Sequence, residues 1–184
     1  MIDCELYAEN EHSYKVIARK LYDICPINQS LIFVFIGTDA NIGDSLGPIC
    51  GQITDFSTRN CLFYGDLTYT ITAKDVPCLV EFLKQTHPSA FIVTIDAALG
   101  AHEDIGVIKV CKNGIKPGLG VNKDLPAVGD ASIIAVVGEK KSDFGLNSVL
   151  RLGAVFKIAN TISDGITEFL SLRAASTDYM TFMA

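Results

Sequence analysis

The sequence predicts an α/β domain built on a central, mainly parallel sheet of about five strands with helices packed over it. Three observations lead there. Short, wholly apolar runs such as Leu31–Gly37 ("LIFVFIG") and Ala90–Ala97 ("AFIVTIDA") read as strands buried on both faces, the mark of a parallel sheet. Helix-period segments alternate with these runs, giving a β-α-β-α-β opening joined by crossovers. The chain of 184 residues, 49% hydrophobic and 20% charged, is long enough for one full core and too short for two.

The elements follow in order. Residues 1–11 read as loosely ordered, and a first amphipathic helix spans 12–24 with Val16, Ile17, Leu21 and Tyr22 on one stripe. The first strand, 31–37, leads through a loop at 38–43 into a helix that starts at Asp44 or Ser45 and ends near Phe56, with Pro48 suited to its first turn. A second strand at 60–65, a helix at 74–87 and a third strand at 90–97 come next. The fourth strand, 106–112, alternates more, and the glycine- and proline-bearing stretch 112–130 is a long loop. A fifth strand at 131–138 and a helix over 145–172 close a single domain spanning 1–184, with 173–184 loosely ordered.

Composition narrows the function. A net charge of −6, a pI near 5.0 and no run of Lys or Arg argue against nucleic acid and an anionic membrane surface as partners. No apolar run approaches membrane-spanning length, and "MIDCELYAENEHSYK" lacks the basic and apolar regions of a signal peptide. The expectation is a cytoplasmic protein with a small-molecule, peptide or protein substrate; homo-oligomerisation stays open. Six cysteines without a C-x-x-C pair read as reduced thiols serving as small hydrophobes.

Residues 43–46, Gly-Asp-Ser-Leu, spell the signature of lipase-like serine hydrolases. That chemistry needs a histidine base near the C-terminus, and histidines occur only at 12, 87 and 102. Ser45 reads instead as a helix N-cap. Two carboxylates remain. Asp44 is expected at a helix N-terminus, where the dipole favours its anion, and Asp96 follows an apolar strand, where desolvation favours the acid. On neighbouring strands they would face one crevice at the carboxyl edge of the sheet, one activating a water and the other protonating a leaving group. The plainer alternative is that Asp44 caps a helix and Asp96 opens a loop. Thr38 and Asp39 leave the same strand end as Asp44. In the long loop, Gly118 and Gly120 let backbone N–H groups approach a substrate, and Lys116 and Lys123 could meet an anion, unless the loop is only a solvated connection. The candidate site is therefore Asp44 and Asp96 as catalytic residues, with Thr38, Asp39, Gly118, Gly120 and Lys123 binding substrate, and with no metal and no cofactor.

"IGTDANIGDSLGP", "VTIDAALG" and "KPGLGVNKDLPAVGDASI" together resemble the YyaC-type sporulation proteins, a family grouped with spore peptidases, across residues 31–138. That family is similar in turn to the germination protease and the hydrogenase-maturation endopeptidases. The resemblance implies a three-layer sandwich of the phosphorylase/hydrolase-like, hydrogenase-maturation-protease-like kind. It also implies peptide hydrolysis by Asp44 of "DSLGP" and Asp96 of "DAALG" in the cytoplasm of a sporulating cell or forespore. Two rivals stand beside it: a catalytically silent binding factor, and a metal-dependent maturation-type endopeptidase. The maturation enzymes hold their metal with the help of a later histidine, which residues 113–130 lack. The chain also departs from the family pattern, with Ala40-Asn41-Ile42 where Arg-Ser-Thr is usual and Thr72 where a histidine is usual.

Overall fold

Alternation inside the strands decides how this chain packs. In the run from Leu31, the side chains of Leu31, Phe33 and Phe35 join one buried cluster, while Ile32, Val34 and Ile36 join another on the opposite face. A strand whose two faces are both apolar must be covered twice. The computed structural model describes residues 2–56, 61–115, 127–140 and 148–183. Within them the order is β1 (Ile2–Tyr7), α1 (Ser13–Ile24), β2 (Leu31–Phe35), α2 (Leu46–Ile53), β3 (Cys61–Tyr64), α3 (Val76–Thr86), β4 (Phe91–Gly100), β5 (Val107–Cys111), β6 (Ala131–Glu139), β7 (Ser148–Val149) and α4 (Leu152–Met183).

The sheet runs β1-β5-β6-β4-β2-β3, with β7 paired to β6. It is mixed, not mainly parallel. β3, β2, β4 and β6 pair in parallel, whereas β1 with β5, β5 with β6, and β6 with β7 pair antiparallel. The reason lies in the connections. β2, β3 and β4 are joined through α2 and α3, but only the short turn at 101–106 separates β4 from β5, too little chain for a parallel crossover. Residues 2–7, expected to be loosely ordered, form the edge strand β1.

The larger core lies between one sheet face and α1, α2 and α4, with Ile17, Leu21, Leu46, Ile49, Val155, Ile162 and Phe169 fully or almost fully buried. The other face is covered by α3 through Val76, Leu79 and Leu83. The buried stripe of α1 is Ser13, Ile17, Ala18 and Leu21; Val16, expected among them, is exposed because it lies a quarter-turn off that face. α4 closes against α1 at Gly165, where a Cβ would press on the Ile17 side chain at 2.7 Å. The helix continues past residue 172, and two contacts hold that extension. Arg173 donates to the carbonyls of Pro26, Ile27 and Gln29, and Tyr22 hydrogen-bonds Ser176 at 2.9 Å. No helix among the described residues is long and apolar enough to cross a membrane. None of the six cysteines forms a disulfide; Cys25, Cys50 and Cys111 are buried, and burial pushes the Cys25 and Cys50 thiols up to about 12. Cys78, which the sequence places in an apolar context, faces solvent on α3.

The end of β2 is packed against the following helix by backbone alone. A Cβ at Gly47 would overlap the carbonyl oxygen of Ile36, and one at Gly37 (φ 147°) would overlap the carbonyl oxygen of Asp44. Gly47→Ala should therefore force helix and strand apart and destabilise by about 3 kcal/mol. For a chain of this size that lowers the melting temperature by roughly 6–12 °C. A thermal melt within a degree or two of wild type would show that the contact can relax.

Candidate active site

β2 stands where the chain changes direction across the sheet. Its crossover through α2 goes outward to β3, while β4 lies on its other side and leads toward β5. In parallel α/β sheets such a reversal leaves a crevice outside the carboxyl ends of the two strands. Pairing of β2 with β4 ends at Phe35 with Ile95, and the N–H of Ile36 donates to the Ile95 carbonyl at 2.8 Å. Asp96 is the next residue.

Asp96 is not the last residue of its strand, as expected from sequence; β4 runs on to Gly100, paired with β6 alone. The next rung toward β2 would join the Ala97 N–H to the Ile36 carbonyl. That bond is absent, and the Ala97 N–H donates instead to Asp96 Oδ1 at 2.8 Å. The side chain of Asp96 has taken the acceptor role that the neighbouring strand gives up. Burial is the main influence on its carboxyl, the Ala97 N–H opposes it, the charge of Asp44 adds to it, and the result is a pKa raised to about 7.

Asp44 sits in a 3-10 turn, Gly43–Ser45, immediately before α2. Its backbone carbonyl accepts the N–H of Thr38 at 3.0 Å, so the loop folds back onto the end of β2. Two further bonds shape the turn. Asn41 Oδ1 accepts the Gly43 N–H at 3.1 Å, and the Ser45 hydroxyl donates to the Ile42 carbonyl at 2.7 Å. The Asp44 side chain is exposed, yet partial desolvation raises its pKa from the ordinary 3.8. The helix end was expected to favour the anion; desolvation outweighs it. The two carboxyls lie within electrostatic reach of each other, and no Lys or Arg among the described residues is ion-paired with either.

Of the remaining candidates, Thr38 is half-buried, and its Oγ1 accepts the Ala40 N–H at 3.3 Å, a bond that shapes the loop. Asp39 is exposed in the same loop. Gly118, Gly120 and Lys123 lie outside the described residues, as does Lys116. Their described flanks, Ile115 and Val128, pair with each other and pack with α3 near the amino ends of β4 and β6, away from Asp96. Ser45 occupies the N-cap position of α2 but does not cap it, because its hydroxyl points back to Ile42; it is only 4% exposed, which shuts it off from a substrate. His102 is exposed, with Nδ1 at 3.6 Å from Glu139. Thr72 and its N–H bind Asp75 Oδ2, which holds that carboxyl below its ordinary range at the start of α3. A cleft of about 460 Å³ lined by Lys84, His87 and Asp130 lies at the opposite edge of the sheet. Among the described residues no group of three His, Cys, Asp or Glu side chains converges as metal ligands would. Sequence reading missed the free length of β4 beyond Asp96, because "AALG" is too short and small to read as strand.

Residues 5–165 match the model of the family described as "Protein of unknown function (DUF1256)". The chain belongs to that family. It is also 32% identical over 139 residues to the Bacillus subtilis (strain 168) protein named "Uncharacterized protein YyaC", a span of 74% of this chain and 68% of that relative. The relationship to a YyaC-type protein expected from the three motifs holds.

Two outcomes follow from the electrostatics and the turn. A carboxyl with a raised folded-state pKa binds protons more tightly folded than unfolded, so it penalises the fold above about pH 7 and the penalty fades as pH falls toward 4. Asp96→Asn should thus raise the melting temperature more at pH 8 than at pH 5, the gain shrinking further toward pH 4. A gain equal at both values would place the cause elsewhere. Ser45→Ala removes one buried hydrogen bond and should cost about 1 kcal/mol in denaturant unfolding, and an organophosphate should leave wild-type Ser45 unlabelled.

Proposed function

We propose that the protein is a peptide-bond hydrolase that uses Asp44 and Asp96 with an activated water. The observation that carries this reading is the pairing of two carboxyls in unequal surroundings, one open to solvent and one desolvated to a pKa of about 7. At neutral pH the first is the base and the second retains a proton to give. Asp44 takes a proton from water as the water oxygen bonds to the scissile carbonyl carbon. Asp96 delivers its proton to the amide nitrogen as the C–N bond breaks. The two aspartates then exchange protons with solvent to restore the starting state. The scheme needs no covalent intermediate, which fits the inaccessibility of Ser45. It also asks nothing of the histidine that Thr72 replaces.

The finer architecture fits the same reading: α3 over one face of the sheet and α1, α2 and α4 over the other make three layers, the arrangement of the enzymes that the motifs resemble. The protein would act in the cytoplasm of a sporulating cell or forespore on a peptide or protein substrate, without a cofactor.

Asp44→Asn and Asp96→Asn should each abolish cleavage of small proteins made in the developing spore while keeping the far-ultraviolet spectrum of wild type. Wild-type kcat/KM should form a bell whose alkaline limb lies near pH 7, where Asp96 loses its proton, and whose acid limb lies above the ordinary aspartate range. Activity lost in chelator and restored by a divalent ion would make the mechanism metal-dependent. Absence of any cleavage by wild type would make the protein a silent binder.

A further inference from the structure

Beyond Ile95, β4 has a partner on one side only. Asp96 to Gly100 pair with β6 from Ile134 to Glu139 across a register shift between Ala98 and Leu99, and past that shift the Gly100 carbonyl still turns to β6, accepting the Lys140 N–H at 2.9 Å. The pleat fixes which groups face the other way. Ile95 points its carbonyl at β2, so Ala97 and Leu99 also face the side that β2 has left. The Ala97 N–H is taken by Asp96. Among the described residues, no backbone group from outside the strand ladders hydrogen-bonds to the Ala97 carbonyl or to the N–H and carbonyl of Leu99. Exposure agrees, for Val93 to Ile95 are buried and Asp96 to Gly100 are all half-buried. The free edge thus offers, in order from Asp96, an acceptor, a donor and an acceptor, the pattern an added strand needs. Apart from Leu99 the side chains along it are small, Ala97, Ala98 and Gly100.

Charge selects the occupant. The segments 36–45 and 65–72, which follow the ends of β2 and β3, and Asp96 itself bring Asp39, Asp44, Asp66 and Asp96 to this end of the sheet, with no Lys or Arg. Glu103 and Asp104 lie on the turn that leaves across β6, where Asp104 is 3.9 Å from Lys109. Exposed Ile42, Leu67 and Tyr69 in the same segments offer apolar contacts between the charges.

We propose that the edge of β4 from Ala97 to Leu99 binds an extended peptide segment bearing basic residues, which adds to the sheet where β2 ends and lies with its backbone beside Asp96. This rests on the peptidase reading for the claim that the bound segment is substrate. It goes further in fixing the conformation and charge of that substrate and in giving Leu99 a positioning role through its backbone.

The test uses the full chain carrying Asp44→Asn, so that the probe stays intact, and an acetylated, amidated heptapeptide of alternating Val and Lys. Amide hydrogen exchange of Leu99, fast in the free protein, should slow on saturation, with the Ala98 amide, already directed to β6, unchanged. The same peptide with Glu for Lys should bind more weakly, and added salt should weaken the Lys peptide. Leu99→Pro removes the donor that faces the free side and should weaken binding about fivefold; if that variant fails to fold, the exchange measurement decides alone. No binding of the Lys peptide at millimolar concentration overturns the proposal. So does binding or wild-type cleavage of that peptide with Leu99 exchange unaltered in the Asp44→Asn chain, an outcome that leaves the peptidase reading standing. Protection of Leu99 without cleavage by wild type upholds the edge and overturns the peptidase.

Discussion

The contact between the end of β2 and the start of α2 governs the rest of the crevice. Two glycines make it. Gly47 lets the helix rest on the carbonyl of Ile36, and Gly37 lets the loop return until the carbonyl of Asp44 lies against its own Cα. Any side chain at either place would push the turn outward and take Asp44 with it. The same contact explains Asp96. With the Ile36 carbonyl lodged against Gly47 and unbonded to Ala97, the ladder toward β4 stops, and a polar group must replace the lost acceptor. The carboxylate of Asp96 does so. One backbone contact thus sets the height of the first acid, ends the strand pair beside the second, and leaves the β4 edge open.

This arrangement works against stability. Burial raises both carboxyls above their ordinary range, and the charge of Asp44 makes Asp96 harder still to ionise. A structural ion-pair network would have placed Lys or Arg nearby, as Lys109 is placed 3.1 Å from Glu5 on the far strands. Instead Asp44 and Asp96 stand without paired cations among the described residues. Uncompensated charge in a cleft gives the fold nothing, and this is what supports the proposed reading of the two acids as a site. Asp75 makes the comparison within the same chain: two bonds from Thr72 lower its pKa, and its role is to hold the start of α3.

Much of the fold was legible because this sheet writes its strands in unbroken apolar runs. Leu31 to Phe35, Phe91 to Ala97 and Ala131 to Gly138 were visible for that reason, as were the helices whose apolar residues recur at helical spacing. The edge strand β1 was not, since "IDCELY" has one apolar face and reads like a polar terminus. Strand direction is likewise absent from composition; only the short connection between β4 and β5 reveals the antiparallel half of the sheet. In the site, the two aspartates were found from their places in the sequence and the motifs around them. The sign of the Asp44 shift was missed because the helix end is visible in sequence and desolvation is not. Ser45 was placed correctly at the N-cap position but given the wrong bond, since a 3-10 turn ahead of α2 offers its hydroxyl the Ile42 carbonyl instead.

The acid at Asp96 also constrains how a cationic segment can lie on the edge. In the hydrolysis proposed above, a positive charge close to that carboxyl would favour its ionised form and strip the proton that a leaving amine would need. On that reading basic side chains would be productive only away from Asp96, toward the end of the segment near exposed Asp39. Beside Asp96 the segment must present small or apolar residues. β4 presents Ala97 and Ala98 there too, so two backbones could approach closely enough for the strand bonds to form. Attraction at the rim and neutrality at the centre are then parts of one requirement: the charge that draws the peptide in must stop short of the group that protonates it.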